Sequence, residues 1–267
     1  MTTERIQKRT LSILISTNGF CFCKYAPSDA SSLQYHYYPA DKETSLVSNL
    51  KRAIEECPLI TKGTEYDVKA IWETDEFTTL PTEYDNKEDY KIYYRFCFPK
   101  CDSNVEIMSN RMNALGETII FAVDPNVSET LQQLGEVNYY TPVSILLGYI
   151  ARKPFPEDKY LLCYIQSGLS ILISVNKGTT QLYNVFKADE GLNTLFYLLS
   201  VWKEQGLSQT EDTLYICGDS SIEELSLLTS KFIKNRKRIN PSKEFASSLL
   251  NRIDNIPFDL QALILCE

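Results

Sequence analysis

Apolar and polar residues alternate through "TLSILIS" at 10–16, stop at "TNGF", and resume in "FCFCKY" and "LQYHYY". A period of two is the mark of a strand with one face buried. Asn18-Gly19 lies between the first two runs, and this pair tolerates the positive φ that a two-residue hairpin turn requires. The pattern predicts a three-strand meander. The period then turns helical in "DKETSLVSNLKRAIEECP", where Leu46, Leu50, Ala53, Ile54 and Cys57 share a face and Pro58 ends the run. "EYDVKAIWET" returns to period two through Val68, Ala70 and Trp72. Beyond Pro81 a polar, tyrosine-rich stretch puts Tyr90, Tyr93, Tyr94 and Cys97 on one helix face. The first half thus begins β-β-β-α-β-α. A strand "ETIIFAV" follows, then a short helix opened by Asp124-Pro125 in the N-cap and N1 pattern, a strand "VNYYTP", and an apolar helix in "VSILLGYIARKPFP".

After the prolines between Lys153 and Pro156 the order restarts. "KYLLCYIQSG", "LSILISVNKG" and "TTQLYNVFKA" read as three strands with turns between them. "DEGLNTLFYLLSVWKEQG" reads as a helix with Leu195, Leu198, Leu199 and Trp202 inward and Gly206 as its C-cap. "DTLYICGD" is a fourth strand, and "SSIEELSLLTSKFIKN" a helix whose Ser220 and Ser221, with Glu223 and Glu224, offer a capping box. The second half is again β-β-β-α-β-α, so two subdomains are expected, 1–153 and 154–267. The hexapeptide "LSILIS" occurs at Leu11–Ser16 and again at Leu169–Ser174. The first copy reads as strand one of its half and the second as strand two, so the echo is out of register with the duplication.

A length of 267 residues and 43% hydrophobic content support two packed cores. No apolar stretch approaches the roughly 18 to 20 residues that span a bilayer. The charged start "MTTERIQKRT" has no apolar region of the kind a secretory signal carries. A soluble, unexported, cytoplasmic protein is expected. Eight irregularly spaced cysteines and a single histidine, His36, assemble neither a disulfide framework nor a zinc constellation, although Cys97 and Cys101 flank Pro99 and could approach each other. His36 lies among tyrosines on a strand, which leaves no partner for a serine or cysteine nucleophile. A net charge of −8 disfavours a protein devoted to nucleic-acid phosphates. The local exception is "KFIKNRKR", Lys231 to Arg238, read as a basic helix end followed by a solvated turn, with RNA binding as the alternative.

Two successive β-β-β-α-β-α units joined by a helix form the arrangement of the actin-like, ribonuclease-H-like duplicated fold. The opening "LSI-I--NGF-F", the "FTTLP" segment and the "FAVDP" strand exit resemble an uncharacterised family of Bacteroidetes proteins with an actin-like ATPase fold. The resemblance implies a mixed-sheet α/β protein of two ribonuclease-H-like subdomains. In nucleotide-using members the first hairpin of each half grips phosphate through an apolar-Asp-apolar-Gly strand. Carried onto this chain, the aspartate falls on Leu14 and the glycine on Ser16 in the first half, and on Tyr164 and Gln166 in the second. Both acids are absent, so no carboxylate stands there to hold magnesium. The "LYICGDSS" segment resembles the strand, glycine turn and helix start that sit against adenosine.

The expected function is therefore a catalytically degenerate, cytoplasmic binding or assembly module with a protein partner, no cofactor and no metal. Some relatives with this fold are parts of pilus or secretion machines that bind partner proteins. Tyr139, Tyr140 and the "DYKIYY" run offer aromatic surface or core packing. The alternative is an ATPase or phosphotransferase that uses ATP and Mg, with Ser16, Asn18, Gly19, Gln166, Ser167 and Gly168 on the phosphates and Gly218, Asp219 and Ser220 nearby.

Overall fold

A computed structural model describes residues 9–26, 29–188, 190–244 and 256–265. The chain forms two compact units, the first mainly Met1–Arg111 and Gly116–Pro142, the second mainly Val143–Ala246 and Pro257–Glu267.

In the first unit the meander is β1 (Arg9–Ile15), β2 (Gly19–Ala26) and β3 (Asp29–Pro39), followed by α1 (Leu46–Glu56) and β4 (Tyr66–Trp72). The Ser45 side chain caps α1 by accepting from Ser48 N, and Leu50 and Ala53 carry its buried face. After α3 (Pro125–Gln132) comes β8 (Gly135–Tyr140), and the five strands lie in the order β3-β2-β1-β4-β8. β1 runs antiparallel to β2 and parallel to β4, which also runs parallel to β8. A central strand of this kind is covered on both faces. β1 accordingly is buried from Thr10 to Ile15 instead of alternating, and Ser12 is as enclosed as its apolar neighbours.

Between β4 and α3 the structure inserts a second sheet that the residue pattern did not announce. β5 (Phe77–Pro81), α2 (Tyr90–Cys97), β6 (Glu106–Met112) and β7 (Glu117–Val123) form it, in the order β5-β7-β6. Leu80, Tyr90, Tyr94 and Ile120 are its small core. Tyr90, Tyr94 and Tyr139 are thus packed inside the unit, and Tyr93 and Tyr140 are half-buried. Ile92 and Phe96 are the large apolar residues that α2 exposes.

The second unit repeats the plan. It comprises α4 (Pro142–Arg152), β9 (Lys159–Gln166), β10 (Leu169–Asn176), β11 (Thr179–Lys187), α5 (Gly191–Glu204), β12 (Thr213–Gly218), α6 (Ile222–Thr229), β13 (Asn235–Arg238), α7 (Pro241–Glu244) and α8 (Phe258–Leu265). Its sheet order, β11-β10-β9-β12-β13, matches the first element for element. Leu161, Cys163 and Ile165 face α5 and α6 around Trp202, Leu198 and Leu225. Burying each such side chain contributes about 1.5–3 kcal/mol. On the opposite face of the sheet, Tyr149 of α4 and Phe258 of α8 meet at 5.1 Å, and Phe258 reaches Tyr164 at 6.4 Å.

The two "LSILIS" copies are β1, first strand of its sheet in chain order, and β10, second strand of the other. Their shared serines are buried, and Ser170 Oγ bonds Thr194 Oγ1 at 2.8 Å. The basic segment is not a helix end. α6 stops at Thr229, and Asn235–Arg238 forms an edge strand parallel to β12, where backbone pairing holds a stretch with no apolar face. Lys237 pairs with Glu157, and Arg238 with Glu223. Among the described residues no helix is long and apolar enough to cross a membrane.

Candidate functional site

The first hairpin joins β1 to β2, and its connecting residues are Thr17 and Asn18 rather than Asn18 and Gly19. Ile15 pairs with Phe20, and Gly19 already belongs to β2. The reason is the Ser16 hydroxyl. It accepts from Asn18 N at 3.3 Å and Gly19 N at 3.2 Å and donates to Gly19 O at 2.9 Å. A serine that bonds the backbone two and three residues on offers an alternative to the positive-φ turn. Gly19 keeps a glycine-only role, with φ 155 and a position where a Cβ would lie 2.5 Å from Tyr38 O. The Asn18 carbonyl is also engaged, by Ala40 N at 3.0 Å and the Tyr37 hydroxyl at 3.1 Å. Ser16 is 7% exposed, and Leu14, at the expected aspartate position, 1%.

The second hairpin joins β9 to β10 through Ser167 and Gly168, with φ 51 and 79, the two positive values of a primed turn. Gln166, half-buried, pairs with Leu169 across it. Here the structure does bring the predicted residues together. Gly218 ends β12 beside Ile165, with φ 140, and a Cβ there would lie 1.9 Å from Ile165 O. Only glycine fits so close an approach. Asp219 N then donates to that same Ile165 O at 2.9 Å.

The Asp219 carboxylate spans the site. Oδ2 accepts from Ser167 N in the hairpin at 3.2 Å, and Oδ1 from Ser221 N at the start of α6 at 2.9 Å. Ile222 N adds a bond to Asp219 O at 3.2 Å. Asp219 therefore fastens the turn that leads into α6, whose N-cap position is Ser221. The expected capping box does not form, since Ser221 makes no side-chain cap bond, and Ser220 is only a solvent-exposed neighbour in the turn. A carboxylate bonded at once to a turn amide and a helix-start amide occupies the kind of cradle in which phosphate oxygens are held.

One acid lies near the second empty aspartate position, and it comes from α8. Asp259 is fully buried, and burial pushes its carboxyl up to about 6 while the nearby Tyr164 hydroxyl pulls the other way. Oδ1 accepts from Leu260 N at 2.8 Å. Cys217, the β12 neighbour of Tyr164, has its thiol held up by burial and then by Asp259. The only sequence signal for Asp259 was a lone acid opening an apolar helix. No group of three or more acids, cysteines or histidines among the described residues is placed to hold a metal ion. The seven described cysteines are thiols rather than disulfides, with Cys97 exposed and its Sγ 3.5 Å from Thr78 Oγ1; Cys266 lies outside the described residues.

Two units with the same 3-2-1-4-5 sheet order, each opened by a hairpin at its central strand, define an actin-like ATPase fold. Within that class the chain belongs to the protein family of unknown function DUF3822, whose model matches residues 1–235. It is similar to a Bacteroides thetaiotaomicron protein described as having an actin-like ATPase fold and unknown function. Identity there is 25% and the TM-score 0.81, over 100% of this chain and 99% of that one. It is also similar in fold to a chain of the PilM-PilN type IV pilus biogenesis complex, at 15% identity and TM-score 0.58 over 98% of each. No curated protein matches the chain.

Proposed function

We propose that this protein is a degenerate member of the actin-like class that serves as a cytoplasmic binding or assembly module and does not turn over nucleotide. The observation that carries the reading is that the hairpin amides are taken by the chain's own side chains. Ser16 Oγ occupies Asn18 N and Gly19 N, and Asp219 occupies Ser167 N and Ser221 N. A phosphate arriving at the second hairpin would displace a charge-assisted pair of bonds and then face the freed carboxylate, a repulsion added to the loss. Neither Leu14 nor Tyr164 can supply a carboxylate oxygen to a magnesium ion. That a chain of the same fold forms part of a pilus biogenesis complex supports an assembly role by analogy of fold alone.

Thermal unfolding with and without saturating Mg-ATP tests this. A ligand at 100 times its Kd stabilises by about 2.7 kcal/mol, a shift of several degrees. The expected result is no shift. An upward shift accompanied by phosphate release would overturn the proposal in favour of an ATPase or phosphotransferase with an unusual phosphate grip.

A further inference from the structure

Helix α5 packs one side, with Leu195, Leu198 and Trp202, into the core of the second unit, and its outer side is unlike an ordinary solvated helix face. From Gly191 to Trp202 the chain carries no charged residue. Leu192 and Phe196, one turn apart on the outer side, are 60% and 67% exposed. The Phe196 ring stands edge-on to Tyr197 at 5.4 Å, and Tyr197 is stacked on Phe186 at 4.4 Å, so the exposed ring rests on an aromatic base. One turn further on, Ser200 donates its hydroxyl to Phe196 O at 2.8 Å. That hydroxyl is satisfied within its own helix, and the position presents a small gap to a neighbour. Charge returns at the ends, with exposed Glu190 before the first turn and exposed Lys203 and Glu204 in the last. Lys203 continues the stripe of Leu192 and Phe196, whereas Glu204 is turned about 100° aside. Neither Glu190 nor Lys203 is in an ion pair among the described residues.

A surface that meets its own copy across a two-fold axis places each residue against itself or against its mate on the other side. Such a surface needs an uncharged centre, large residues opposite small ones, and opposite charges at matching distances. The outer side of α5 has all three about Phe196. In an antiparallel pair, Phe196 meets Phe196 of the second copy, in the offset or edge-on contact that aromatic rings favour. Leu192, four residues before, faces Ser200, four residues after. Glu190 comes beside Lys203 at both ends. A partner of a different kind would require none of these relations within one helix.

We propose that α5 is the contact of a two-fold homodimer, packed antiparallel against α5 of a second copy with Phe196 at the axis. The helix has 14 residues, a length of about 21 Å. A contact of that extent falls among the small, reversible interfaces, so association is expected at micromolar concentration. The inference goes beyond the binding-module reading and does not rest on it, since neither hairpin takes part.

The test is sedimentation of the full chain over a concentration series, at about 0.15 M salt so that the charge of −8 on each copy is screened. The expected result is a reversible equilibrium between monomer and dimer. Phe196→Glu sets two carboxylates at the axis and should weaken the dimer by about thirtyfold or more, the loss of one central aromatic anchor. Its unfolding midpoint at high dilution should match the parent's, because the residue is exposed. Ile92→Glu, at a similarly exposed apolar residue of α2, should leave association unchanged. Lys203→Glu should weaken the dimer roughly fivefold through two exposed ion pairs, and Glu190→Lys added to it should restore the parent's affinity. With Cys97, Cys101 and Cys266 changed to serine, copies carrying Phe196→Cys should be joined to one another by a short bis-maleimide. The inference is overturned by a monomer at every concentration, or by association that Phe196→Glu leaves intact or Ile92→Glu weakens equally. Failure of the double charge reversal to restore affinity, or absence of the cross-link, would overturn it as well.

Discussion

Asp259→Asn should gain stability relative to the parent as pH rises. The carboxyl is fully buried and its titration point is pushed from an ordinary 3.8 up to about 6, chiefly by burial. A raised carboxyl favours the protonated form in the folded state. The group therefore costs nothing below about pH 4, costs progressively more as pH rises toward 6, and reaches its full cost above that. The distance from 3.8 to about 6 corresponds to roughly 3 kcal/mol. Asparagine keeps the shape of the side chain and cannot ionise. It has its own fixed cost, because its amide must be accommodated in the buried site that the acid occupies, but that cost does not vary between pH 4 and 8.

The measurement is the difference in unfolding free energy between variant and parent, taken in denaturant at several pH values across that range. The variant should gain on the parent by up to roughly 3 kcal/mol between pH 4 and 8, or several degrees in midpoint. Tyr164→Phe removes the largest of the influences that lower the titration point, ahead of the backbone amides of Leu260 and Asp259, and it should carry the loss of stability on to higher pH. A difference that stays constant with pH, or that shrinks as pH rises, would refute the assignment of Asp259 as a buried acid whose titration point is raised by folding.

Two further outcomes follow from particular contacts. Gly218→Ala places a Cβ 1.9 Å from Ile165 O at φ 140, so it should destabilise the second unit by more than about 3 kcal/mol, read as a large fall in thermal midpoint or loss of soluble protein. In a Cys266→Ser background, a thiol reagent should label exposed Cys97 first and Cys101 more slowly. Cys21, Cys23, Cys57, Cys163 and Cys217 should react only on unfolding, since they are buried, and burial holds the Cys23 and Cys163 thiols up at about 12.

The duplicated order of elements was legible because it rests on local signals. The apolar period of α1 and α5, the Asp124-Pro125 start of α3 and the glycine after α5 all act where they stand in the chain. β5 and β6 were not legible, because the inserted sheet half-buries nearly every residue of these strands and so imposes no alternation. β13 has no apolar residue at all, and only backbone pairing with β12 makes it a strand. Asn18-Gly19 announced a turn correctly, but the letters could not show that the preceding serine would claim its amides. The second site was less legible still. Its governing bond joins Asp219 to Ser167, 52 residues earlier, and no periodicity connects residues so far apart.

The two hairpins are closed by unlike means, and this bears on what the duplication has kept. In the first unit the closing group is local, a hydroxyl at the end of β1 that bonds the next two amides but one. In the second it is remote, a carboxylate carried by the turn after β12. The strand order persists in both units, because sheet pairing and packing demand it whatever the hairpin holds. The hairpin letters do not persist, because an internal hydroxyl and an internal carboxylate satisfy the same backbone donors by different routes. A fold can thus retain the geometry of a phosphate grip as scaffolding while its own side chains occupy the donors.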